Sequence, residues 1–179
     1  YAIQSALNSH TLQRHWKGNP NYSIDQIMKR LDRTRELKEP TPNAQQAQYD
    51  SQRNLKTVNI SCIPERMLFS VNQVVVKTGQ PLKVIFTNPD ATDHNLVFVK
   101  SGALEEVGMA ANEMARDAEN ANSDFIPSSK AGLILNSSPM IGPTRKSLVH
   151  VMRFEAPAEP GIYPFVCTFP GHWVIMKGD

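Results

Sequence analysis

Two textures of apolar spacing meet near residue 57. Before it, apolar residues recur at helical intervals in polar surroundings. Ser23-Ile24-Asp25-Gln26 has the form of a capping box, in which a hydroxyl and a glutamine satisfy the first free N–H groups of a helix. Ile24, Ile27, Met28 and Leu31 then make one apolar stripe, and Pro40 and Pro42 end the helix. Leu7, Leu12 and Trp16 suggest another stripe within residues 2–16. Residues 43–54, with Asn43 as N-cap, read either as a short polar helix or as a linker. These segments hold too few apolar residues to fold alone, so they are expected to lean on the rest of the chain, on a partner or on another domain.

Beyond residue 57 the period shortens to two. Val58, Ile60 and Cys62 alternate with polar residues, as a half-buried strand requires. Further strands are predicted at 67–70, 73–77, 82–88, 94–100, 132–136, 147–154 and 161–167. Turn signals separate them at Thr78-Gly79-Gln80-Pro81, Asn88-Pro89-Asp90 and Glu159-Pro160-Gly161. Short strands with such punctuation predict an antiparallel sandwich or barrel. One insertion interrupts them: Leu104, Val107, Ala111 and Met114 share a helical face, which predicts a helix over 103–116 inside a flap of 101–131. The fold class is mainly β, with a helical N-terminal extension or linker at 1–57 and a β domain at 58–179.

Charge follows the same division. Residues 1–57 carry nine Lys/Arg and five Asp/Glu, net +4, and residues 58–179 carry ten and twelve, net −2; the sum is the formal +2 of the chain. So small a charge argues against a bulk nucleic-acid binder. At 179 residues and 40% hydrophobic the chain can bury a core, yet no apolar run is long enough to span a membrane as a helix. Two cysteines, Cys62 and Cys167, cannot make a disulfide scaffold. The first residue is Tyr1, which reads as a processed product or an excised piece.

The chemistry is concentrated near the end. In Cys167-Thr168-Phe169-Pro170-Gly171-His172-Trp173-Val174-Ile175-Met176, a thiolate, an imidazole and a thioether follow the spacing Cys-x4-His-x3-Met. Soft sulfur with imidazole favours copper, since Cu(I) prefers soft donors and Cu(II) accepts imidazole. Asp93-His94-Asn95 offers a fourth ligand from the start of a predicted strand. Two histidines and a cysteine around the ion with a distant methionine is the blue-copper arrangement.

The stretch from Tyr163 through Cys167, His172 and Met176 to Gly178 resembles the ligand loop of azurins, within the cupredoxin family. The resemblance extends over residues 58–178 and includes His94-Asn95, the helical flap and Ile141-Gly142. It implies a Greek-key β-sandwich with one type 1 copper and one-electron transfer. His94, Cys167 and His172 become the strong ligands and Met176 the weak axial one, with the carbonyl of Asp93 as a weaker axial contact where azurins have glycine. The backbone N–H groups of Asn95 and Phe169 are expected to donate to the Cys167 sulfur, and the Asn95 side chain to tie the two ligand-bearing segments. Phe169, Pro170, Gly171 and Val174 would form an apolar docking patch around His172. Azurins carry a disulfide that a lone Cys62 cannot form. They also continue past Met-Lys-Gly into a final strand, which a chain ending at Asp179 is expected to lack.

Other candidates have plainer readings. Cys62 is a core thiol. His10 and His15, five apart, do not share a helix face. His150 between Val149 and Val151 is a structural strand residue. Met109 and Met114 pack the flap helix, and Trp173 either packs or lies exposed beside the site. No nucleophile–base pair is evident, so the reading is an electron carrier rather than an enzyme. Its partners would be redox proteins such as c-type cytochromes or a dehydrogenase, with residues 1–57 available for docking or self-association. The alternatives are a copper domain excised from a larger multidomain redox enzyme or complex and, less well supported, a copper carrier, which needs a more accessible site. Gly171 stands where a dinuclear copper centre needs a second cysteine, and the further histidines of a nitrite-reducing enzyme are missing. Family habit places the protein in the periplasm or otherwise outside the cytoplasm.

Overall fold

A computed structural model describes residues 37–179. The helices expected within 2–16 and from Ser23, together with His10 and His15, lie outside the described residues. Residues 37–43 carry no helix. Glu39 and Thr41 each precede a proline, whose ring disfavours helical backbone in the residue before it. Asn43 then caps helix α1 (Ala44–Asp50) through a reciprocal box: its side chain accepts from the Gln46 N–H, and Gln46 returns a bond to the Asn43 N–H.

The strands are β1 (Lys56–Ile63), β2 (Leu68–Phe69), β3 (Pro81–Thr87), β4 (Val97–Val99), β5 (Ile134–Ser137), β6 (Val149–Glu155), β7 (Phe165–Val166) and β8 (Lys177–Gly178). Among the described residues they form two four-stranded sheets, ordered β2-β1-β3-β6 and β5-β4-β7-β8. One core joins the sheets. Ile60 and Cys62 of β1, Leu82, Val84 and Phe86 of β3 and Met152 of β6 face Phe98 of β4 and Phe165 of β7. Alternation along β1 sets which residues point inward, as predicted, and β3 follows the same rule. Cys62 is a free, buried thiol of this core. His150 sits half-buried on β6 opposite Phe86, where burial lowers its pKa.

The second sheet is covered on its outer side as well. Val97, Val99 and Val166 point away from the main core and meet Ala103 and Val107 beneath helix α2 (Leu104–Met114), the predicted flap helix. That is why all three residues of β4 are buried. Met109 departs from expectation. The inward face of α2 is Val107, Gly108 and Ala111, and Met109 points to solvent.

Two further expectations are corrected. The sandwich is not wholly antiparallel: β1 and β3 run parallel, because residues 64–80 carry the chain across rather than through a tight hairpin. Residues 73–77 form no strand. Val74 and Val76 do pack on the core, but the Val74 N–H and the Asn72 carbonyl bond only to Asp179, too little pairing for a ladder. The Met-Lys-Gly segment itself is paired, with β8 antiparallel to β7.

Helix α1 is pinned to the first sheet by charge rather than by an apolar face, since none of its residues is buried. Asp50 takes two hydrogen bonds from Arg153, at 2.7 and 2.8 Å, and lies 3.1 Å from Lys83, which also pairs with Glu39. The Tyr49 hydroxyl donates to the Phe154 carbonyl at 2.7 Å. The Arg153 hydrogen bonds, with help from Lys83, hold the Asp50 carboxyl at about 2. A carboxylate with a depressed folded-state pKa adds stability above its unfolded value and loses it as pH falls through the folded one. Asp50→Asn should therefore cost about 1–3 kcal/mol at neutral pH, the scale for hydrogen bonds to charged groups. It should also flatten the loss of stability between 3.8 and about 2. Urea unfolding across that range checks both.

Candidate metal centre

Two stretches of backbone set the site. His94 lies ahead of β4 and exchanges both backbone hydrogen bonds with Ile141, at 3.0 and 2.9 Å. Cys167 follows β7, and its N–H donates to the Met176 carbonyl at 3.0 Å, closing the loop between them. Within that loop Gly171 adopts φ +83°, a left-handed turn that suits glycine, and His172–Val174 form one 3₁₀ turn. The Met176 N–H then donates to the His172 carbonyl at 2.7 Å.

Helix α2 buttresses this loop at two points. Asn112 accepts from the Gly171 N–H at 2.8 Å. The Trp173 ring lies so close against Gly108 that a Cβ there would collide with it. Trp173 therefore packs, with its indole nitrogen buried, rather than standing free beside the site.

The donor atoms converge. Nδ1 of His94, Nδ1 of His172 and Sγ of Cys167 all lie within 4.8 Å of one another. The sulfur is 3.6 Å from the first nitrogen and 3.7 Å from the second, and the two nitrogens are 3.2 Å apart. Met176 is fully buried in the same core as Cys167. His94 presents its other nitrogen, Nε2, to the Asp90 carboxylate at 3.1 Å. A carboxylate only accepts, so Nε2 carries the hydrogen and Nδ1 of the neutral ring is a bare lone pair aimed at the centre.

Electrostatics keep these donors uncharged until a cation is present. Burial pushes the Cys167 thiol up to about 12, against the opposing pull of N–H groups from Asn95 and Phe169. Burial lowers His94, although Asp90 counters it. Burial and the neighbouring His94 bring His172 down to about 4. Two neutral imidazoles and a buried thiol therefore share one point, within hydrogen-bonding reach of one another. A soft cation would take the thiol's proton position and accept both Nδ1 lone pairs. The donor set thus fits copper.

The Asn95 side chain links the two segments as expected. Its Oδ1 accepts from the Thr168 N–H at 2.8 Å, and its Nδ2 donates to Thr168 Oγ1 at 2.7 Å and to the Asp124 carbonyl at 2.8 Å. The Asp93 side chain turns aside, accepting from Thr144 and from Arg145 at 3.1 Å. Of the patch residues, Gly171 and Val174 are exposed while Phe169 and Pro170 are half-buried. The Phe169 ring stacks 4.6 Å from His172 and meets Phe125 at 5.7 Å. Sequence reasoning missed Asp90, Gly108 and Asn112. Asp90 was absorbed into a turn signal, although a carboxylate four residues before a ligand histidine is a readable hint. The other two lie on a helix whose docking no local pattern announces.

Comparison with known proteins agrees with this chemistry. The family described as copper binding proteins, plastocyanin/azurin family, matches residues 56–179. Auracyanin-A of Chloroflexus aurantiacus is 33% identical over 124 residues, covering 68% of this chain and 71% of that protein. The solved structure of dithionite-reduced auracyanin from Roseiflexus castenholzii is 35% identical with a TM-score of 0.56, over 68% of this chain and 92% of that one. The structure of auracyanin A, a "blue" copper protein of Chloroflexus aurantiacus, is 30% identical with a TM-score of 0.58, over 69% and 95%.

Removal of the Asn95–Thr168 bridge tests how far the site is held without metal. Asn95→Ala leaves the buried Thr168 N–H without its acceptor, which should cost about 1–3 kcal/mol. Urea denaturation of the metal-free protein should report that loss.

Proposed function

The chain belongs to the plastocyanin/azurin family of copper-binding proteins, and from this premise we propose that His94, Cys167, His172 and Met176 ligate one copper ion. The protein is a type 1 copper electron carrier rather than an enzyme. When bound, copper supplies a one-electron Cu(II)/Cu(I) couple. The observation that carries the ligand assignment is the convergence of two Nδ1 atoms and one Sγ within 4.8 Å at a buried point.

The residues divide the work. Cys167 would give the thiolate, His94 and His172 imidazole lone pairs, and Met176 a weak thioether. The carbonyl of Asp93 would be a further weak contact. The N–H groups of Asn95 and Phe169 draw charge from the Cys167 sulfur, while the hydrogen-bonded loop holds the donors in one arrangement through the redox cycle. Little rearrangement means a low barrier to electron exchange. His172, half-buried beneath Phe169, Pro170, Gly171 and Val174, is the proposed exit for the electron. Val174 is 52% exposed, and a small apolar surface of this kind suits brief redox encounters.

We read residues 58–179 as the copper domain and residues 1–57 as an extension, of which α1 is tied to the first sheet by the Asp50–Arg153 pair. Among the described residues no helix is long and apolar enough to cross a membrane. Redox proteins such as c-type cytochromes or a dehydrogenase are the proposed partners, in the periplasm or otherwise outside the cytoplasm.

Two variants separate the ligand roles. Cys167→Ser should abolish the intense visible band that sulfur-to-copper charge transfer gives the oxidised protein. Met176→Leu should keep copper and colour while raising the reduction potential, because a donor to Cu(II) is lost. A colourless copper-loaded wild type contradicts the assignment. For docking, Val174→Asp should slow electron exchange with a partner at least several-fold and leave the spectrum almost unchanged. Stopped-flow oxidation of a c-type cytochrome measures it, and equal rates place the docking face elsewhere.

A further inference from the structure

We propose that Asp90 is a positioning residue for the metal site: its carboxylate fixes the tautomer and aim of His94 and biases the site toward the oxidised ion. The inference rests on the ligand reading above. Asp90 is 5% exposed and His94 is fully buried, so water does not compete for their 3.1 Å contact. Both carboxylate oxygens are committed. Oδ2 faces His94 Nε2, while Oδ1 accepts from the N–H groups of Ala91 at 2.6 Å and Glu65 at 3.2 Å.

The turn that carries Asp90 is itself braced. Asn88 Oδ1 accepts from the Asp90 N–H at 3.0 Å. Asn88 Nδ2 donates to the carbonyls of Thr92 at 2.8 Å and Ile141 at 2.7 Å. The Ile141 carbonyl is the one that accepts from the His94 N–H. Backbone and ring of His94 are therefore held by one connected bracket, through its main chain on one side and its Nε2 on the other. A ligand histidine whose second nitrogen donates to a carboxylate is oriented and made a stronger donor.

Charge points the same way. The Cys167 thiolate and the Asp90 carboxylate together bring two negative charges to a buried site, which balances a dication and leaves an excess beside a monocation. In a poorly screened interior that difference favours Cu(II) over Cu(I). Among the described residues, His172 has no such carboxylate partner, so the buried histidine is the more electron-rich of the pair.

The test uses the full chain loaded with Cu(II). Asp90→Asn keeps shape and an acceptor for the backbone N–H groups but removes the charge. It should retain the visible band, because Cys167 is untouched, and should lower the ratio of Cu(II) to Cu(I) affinity about tenfold. For a one-electron couple that is a rise of about 59 mV in potential, read by voltammetry. An unchanged potential in a coloured, copper-loaded variant reduces Asp90 to a turn brace and overturns the proposal. A colourless wild type defeats the ligand reading instead, so the two failures are distinct. Wild-type protein supplies a second measurement that needs no variant. In the Cu(I) form, nitrogen-15 NMR of the His94 ring should show a hydrogen-bonded, slowly exchanging proton on Nε2. A freely exchanging Nε2 proton overturns the proposal.

Discussion

A thiol and two neutral imidazoles converge on one point at the edge of the core, and the surrounding chain holds them there. Nδ1 of His94 and Nδ1 of His172 are 3.2 Å apart with Sγ of Cys167 beside them. Neither ring is readily protonated where it lies, and the thiol is pushed up to about 12 by burial. The fold keeps these groups within reach of one another. Much of the surrounding structure serves that end.

Each neighbour removes a way for the donors to escape. Phe165 and Val166 are buried on opposite faces of β7, which leaves Cys167 no freedom to rotate toward solvent. The paired backbone bonds with Ile141 lock His94. Asn95 and Thr168 hold the two segments in register by bonds in both directions. Helix α2 presses on the loop through Gly108 and Asn112, so the flap braces the metal loop from the side away from the core. Electron transfer benefits from such a scaffold, because ligand positions set by the protein need not change with oxidation state.

Much of this was legible in the chain before any coordinates. Alternation at Val58, Ile60 and Cys62 marks the inward face of β1, since a period of two leaves few other arrangements. The Cys-x4-His-x3-Met spacing and the His94-Asn95 pair pointed to the donors, because local loop geometry and ligand chemistry both act over short stretches. What was not legible depends on distant partners. Residues 73–77 carry the β-branched run of a strand, yet a strand exists only where a neighbour completes its ladder. Parallel pairing of β1 and β3 follows from a crossover that leaves no local trace. Met109 shares the flap helix with Val107 and Ala111, and only the packed structure places it outward. Asp90 reads as a turn residue until its carboxylate is seen against His94.

The central claim is that the protein holds the donors in place before the metal arrives. Solution NMR of the metal-free protein against the same protein loaded with Cu(I), both diamagnetic, tests it most directly. The account predicts that the amides of Thr168 and Met176 resist hydrogen exchange in both forms, and that contacts among the His94, Cys167 and His172 side chains are present in both. Rapid exchange across residues 167–176 without metal, with the three side chains brought together only on loading, would contradict it.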